Sequence, residues 1–105
     1  MTAFEAGEGS VSGMGVESSA VIVRMWEVRA HPEAFDELLS WVCEAMLPKV
    51  EVHPLHISSE VYSSTDHRLV VISKWRGSTP EEFSDPPSHL VSRRPQAWDF
   101  TEVDR

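Results

Sequence analysis

Residues 20–29, AVIVRMWEVR, are apolar on both of the faces that an extended chain presents, and this double-sided run constrains the fold more than any other feature. Alternate residues of a strand point to opposite sides of its sheet, so Val21, Val23 and Met25 share one side while Ile22, Trp26 and Val28 share the other. β-Branched and aromatic residues suit the pleated backbone, where their stiff side chains pack against neighbours. A strand of this kind belongs in the middle of a sheet that is covered on both sides.

The remaining segments supply that sheet. His31-Pro32 places a proline in a helix first turn, where its missing N–H is not needed, and Glu33, Asp36 and Glu37 lie near the positive end. Phe35, Leu38, Leu39, Val42 and Met46 recur at helical spacing, which predicts an amphipathic helix running to about Leu47, where Pro48 stops it. Cys43 lies on or beside that apolar stripe and reads as packing. Over 56–62, Ile57, Ser59 and Val61 alternate with Ser58, Glu60 and Tyr62; the turn-like Ser63-Ser64-Thr65-Asp66 then leads into RLVVISKW at 68–75, so the two runs form a hairpin. Thr79-Pro80-Glu81-Glu82 has the composition of a helix start, with Thr79 as cap and Glu82 reaching back to it, and Pro86-Pro87 keeps the helix short. A last strand over 97–103 places Trp98 and Phe100 on one face.

Strand, helix, strand, strand, helix, strand is the ferredoxin-like βαββαβ order: an α+β fold with a four-stranded antiparallel sheet and two helices on one face. The other face is left bare, and its apolar residues call for a second copy of the chain, giving a homodimer. A chain of 105 residues supports one such domain, spanning 20–105. Residues 1–19 hold four of the five glycines and no sustained apolar period, which predicts a disordered N-terminal tail. A net charge of −8 with nine Lys and Arg repels phosphate backbones, so no nucleic acid partner is expected. No apolar run is long enough to span a membrane, the start lacks a basic and then apolar leader, and a single cysteine fits a reducing compartment; the expected location is cytoplasmic, with no membrane partner.

The stretch Ser73-Lys74-Trp75 ending the third strand, followed by a polar segment closing in Pro87-Ser88-His89, resembles the dimeric α+β barrel superfamily over about 20–103, in particular its antibiotic-biosynthesis-monooxygenase-like group. The resemblance implies two sheets packed face to face around a cavity. It implies cofactor-independent oxidation, or binding, of a flat hydrophobic small molecule, without a bound metal or flavin. Trp75 and His89 match the group's positions of interest, as catalytic candidates. Ser84 stands where the group has an earlier histidine, and with the Pro86-Pro87 break it favours the alternative of a non-catalytic ligand-binding or accessory protein on the same fold.

The residues themselves leave roles open. Trp75 is suited to stacking on a flat substrate, or equally to packing in a core or interface. Histidine is the residue type suited to proton transfer at physiological pH, so His89 could serve as a base or haem ligand, or simply sit on the surface. Arg24 and Trp26, large side chains on one face of the first strand, are candidate substrate-binding residues. A buried Arg24 needs a carboxylate such as Glu60 or an anion in the cavity. His53-Pro54-Leu55-His56 has a spacing that metals tolerate but no further ligand nearby, so no metal site is expected.

Overall fold

The computed structural model describes residues 20–79 and 82–105; the expected tail at 1–19 lies outside the described residues. Four strands, β1 (Val21–Ala30), β2 (His56–Ser63), β3 (Arg68–Arg76) and β4 (Val91–Thr101), form one sheet in the order β2-β3-β1-β4. Every neighbouring pair is antiparallel. β1 is central, as its two apolar faces require, with β3 on one side and β4 on the other. The expected hairpin joins β2 to β3, and its loop turns through His67, a non-glycine residue at φ 66°, whose carbonyl accepts the Ala30 N–H at 2.9 Å.

One face of the sheet carries the core. Trp26 and Val28 of β1 and Leu69, Val71 and Trp75 of β3 are buried there against Leu38, Val42 and Met46 of the first helix. Each such side chain contributes roughly 1.5–3 kcal/mol through removal from water. That helix, α1 (32–51), opens with Pro32 in a 3-10 turn and runs past Pro48 to Glu51, beyond its expected end. A π-turn at Val42–Met46 makes the extension possible: the Leu47 N–H bonds back to the Val42 carbonyl, and the helix restarts with Pro48 in its new first turn, where no N–H is needed. Cys43 falls on the outer side of α1 and is exposed, against the packing role expected of it; Val42 and Met46 take the inward positions.

The second crossover also differs from expectation. No helix follows Thr79 among the described residues: 82–87 is irregular and is followed by a single 3-10 turn, Ser88–Leu90. With Pro86-Pro87 so close, the segment is too short to offset the cost of helix nucleation, and Thr79 spends its hydroxyl elsewhere. Buried Leu90 instead anchors the turn, its carbonyl accepting the His31 N–H at 3.1 Å, and β4 begins at Val91, well before the expected start.

The far face of the sheet bears no helix. Ile72, Met25 and Trp98 lie side by side across β3, β1 and β4, and Val23 stands beside Phe100. Trp98 and Phe100 are 41% and 54% exposed, so the middle of this face is an apolar patch open to solvent in the single chain, with charged residues such as Glu27, Lys74 and Glu60 around it. Among the described residues, no helix is long and apolar enough to cross a membrane.

Candidate functional site

Arg24 sits mid-strand on the core-side face of β1, 8% exposed, and the β1–β4 register places Asp99 directly beside it. The guanidinium grips the carboxylate with two bonds, Nε to Oδ1 at 2.8 Å and Nη2 to Oδ2 at 3.1 Å. Thr79 closes a triangle: its Oγ1 accepts from Arg24 Nη2 and donates to Asp99 Oδ2, both at 3.1 Å. The hydrogen bonds from Arg24 hold the Asp99 carboxyl below the ordinary aspartate range; partial burial opposes this, and the Arg24 charge and Thr79 hydroxyl add to it. The ring of Phe83 lies under the guanidinium, 5.0 Å from its carbon, a cation–π contact that helps a buried cation dispense with water.

Arg24, Asp99 and Phe83 line a cavity of about 630 Å³ between β1, β4 and the irregular 82–87 segment. Trp26, 3% exposed, forms part of its wall beside Phe83, with ring centroids 6.5 Å apart. Arg94, Gln96 and Asp85 stand around it, Arg94 near the irregular β1–β4 pairing between Glu27 and Arg29. The cavity therefore combines aromatic surface with a charged wall in which Arg24 and Asp99 are paired.

Trp75 does not line that space. It is fully buried, its indole N–H donates to Ser73 Oγ at 2.9 Å, and His53 and His56 meet it edge-to-face at 5.3 and 5.2 Å. It borders a separate hollow of about 120 Å³ with Met46, Val50, His53 and Phe83. The two histidines of the His53-Pro54-Leu55-His56 segment are drawn into local bonds: His53 Nδ1 accepts the Leu55 N–H at 3.1 Å and His56 Nε2 meets Ser59 Oγ at 2.7 Å. His89 is exposed on the 3-10 turn and lines neither space, because Leu90 takes the inward position. Of the four residues singled out in the sequence, the structure thus brings Arg24 and Trp26 together, and leaves Trp75 and His89 apart from them and from each other.

Glu60, the suggested partner of Arg24, stands opposite Ile72 on the far face of the sheet, so it cannot reach the guanidinium. Asp99, Thr79 and Phe83 are the site residues that sequence reasoning missed. Asp99 and Thr79 carry no local signal, since only the β1–β4 register and the path of the second crossover bring them to Arg24. Phe83 did carry one, as the only aromatic residue in the polar stretch 76–92.

The fold and its strand order define an α+β protein of ferredoxin-like class, with a four-stranded antiparallel sheet and a helix on one face. Among solved structures it is similar to that of Rv0793 from Mycobacterium tuberculosis, with a TM-score of 0.59 and 15% identity over 81% of this chain and 97% of that one. At this identity the likeness concerns the fold alone. No family profile matches the sequence, and no curated protein does.

Proposed function

We propose that this chain is a homodimeric small-molecule-binding protein of the dimeric α+β barrel type, taking a flat hydrophobic ligand in the cavity beside Arg24 and Trp26. The observation that carries the reading is the cavity itself: about 630 Å³ with Trp26 and Phe83 in its walls. Ligand sites commonly span roughly 300–1,000 Å³ and join aromatic surface to a few placed polar groups. Aromatic rings give a flat molecule stacking area at little entropic cost. The Arg24–Asp99–Thr79 triangle fixes one wall, where Arg24 and Asp99 offer polar atoms to a ligand edge.

Oxidation of the ligand by dioxygen is what the monooxygenase-like resemblance would add. Such chemistry without a cofactor draws a proton from the substrate, which needs a base beside it. No histidine lines the cavity among the described residues, Asp99 is made a weaker base by Arg24, and the other carboxylates of the lining, Glu82 and Asp85, are exposed on the irregular segment. This favours binding without turnover. The homodimer is supported by the open apolar face through Met25, Ile72 and Trp98, which a second copy would cover.

The test is a titration with β-naphthol followed by the indole N–H signal of Trp26. Saturable binding is expected, and Ala97→Trp, which fills the cavity from an exposed β4 position, should weaken it at least about tenfold. Failure of the wild type to bind, or undiminished binding by Ala97→Trp, would remove the reading. Oxygen uptake with bound naphthol would restore the enzymatic one.

A further inference from the structure

Among the described residues, Phe83 is the one aromatic side chain shared by both hollows. Trp26 borders only the large space and Trp75 only the small one, and the Phe83 ring stands between them, 6.5 Å from Trp26 and 6.3 Å from Trp75. It is held there by the Arg24 guanidinium, 5.0 Å from its ring centre, and not by a helix, because 82–87 has no ladder of backbone bonds. An aromatic wall fixed by side-chain contacts alone defines how far a flat molecule reaches from the Arg24 end toward Trp75.

We infer that Phe83 is the size-selecting wall of the ligand cavity, admitting bicyclic aromatic molecules and excluding longer fused-ring ones that would need the hollow beside Trp75. This rests on the ligand-binding reading for its consequence, though not for its geometry. Removing the phenyl ring joins the two spaces and opens a path from the large cavity to Trp75, which is 0% exposed. Leucine at the same position keeps an apolar wall of similar depth.

The experiment compares wild type, Phe83→Ala and Phe83→Leu in two measurements. The first is affinity for β-naphthol and for hydroxypyrene, a longer fused-ring probe, by fluorescence. Phe83→Ala should gain about tenfold or more for hydroxypyrene relative to naphthol, and Phe83→Leu much less. The second needs no ligand: hydrogen exchange of the Trp75 indole N–H should quicken about tenfold or more in Phe83→Ala, while the buried amides of Leu69 and Val71 keep their rates. Unchanged Trp75 exchange, or a rise matched by the Leu69 and Val71 amides, overturns the dividing role even if naphthol still binds the wild type. Faster Trp75 exchange in a protein that binds neither probe leaves the wall standing and sinks the ligand reading. Faster exchange without the gain for hydroxypyrene, in a protein that does bind naphthol, overturns the size-selecting role.

Discussion

Asp99→Ala tests the centre of the site most directly. In the wild type the Arg24 side chain, 9% exposed, gives two bonds to Asp99 and one to Thr79. The substitution takes away the carboxylate and leaves a guanidinium that water barely reaches. Breaking a fully buried pair costs about 3–5 kcal/mol, but Asp99 itself is 40% exposed, so water refills part of its place and the expected loss is about 2 kcal/mol. For a domain of this size that lowers the melting temperature by roughly 10 °C. Urea unfolding followed by tryptophan fluorescence, at one fixed protein concentration, should show the midpoint moving while the slope stays constant. The pH dependence supplies the sign. Because the Asp99 carboxyl is held below its ordinary range, its contribution is fully present above the unfolded value of about 3.9 and fades as pH falls through the lower folded value. The stability gap between wild type and Asp99→Ala should therefore be constant near neutrality and close on acidification below about pH 4. A cost under about 0.5 kcal/mol, or a gap that does not close in acid, would refute the view of Asp99 as a partner that helps Arg24 to be buried.

Two further outcomes separate scaffold from surface. Trp75→Leu, at a fully buried indole bonded to Ser73, should cost about 3 kcal/mol in the same assay, whereas His89→Ala, at an exposed position, should stay within about 0.5 kcal/mol. A large loss on His89→Ala would mean that its surroundings differ from those described. Met25→Arg, in the middle of the Ile72–Met25–Trp98 row, should convert a light-scattering mass of two chains into that of one. A wild type that already scatters as a single chain at micromolar concentration would end the homodimer proposal.

The sheet was legible because strand signals are local. Double-sided β1, the 56–62 and 68–75 runs and their turn each carry their pattern in adjacent residues, and their order then restricts the topology to few choices. The departures lie where a backbone irregularity or a distant contact decides. Pro48 was read as a stop because proline normally breaks a helix, yet one extra residue in the π-turn lets the chain restart around it. Thr79 has the composition of a helix cap, but its hydroxyl bonds Arg24 and Asp99, which are 55 and 20 residues away. Arg24 announced itself as a buried charge in an apolar strand, so its need for a partner was visible while the partner's identity depended on the β1–β4 register. Trp75 and His89 were named through resemblance; the structure gives Trp75 a bonded, enclosed indole and His89 an exposed turn.

The cavity follows from the failure of the second helix. A full crossover helix over β1 and β4 would set its apolar side chains on Trp26 and Ala97 and fill the space above them, as α1 does over β3 with Leu38, Val42 and Met46. Here Pro86 and Pro87 leave too few residues after Thr79 for a stable helix, and the crossover contributes one inward aromatic side chain, Phe83, where a helix would contribute a stripe. Arg24 then faces a space that is neither core nor open solvent, where a charge needs partners, and Asp99 and Thr79 are among those it ties itself to. The same sequence feature that defeats the helix thus leaves the hollow, demands the polar triangle and makes Phe83 its wall. Restoring helix-forming residues at 86 and 87 should shrink the hollow and weaken ligand binding even where every cavity-lining residue is kept.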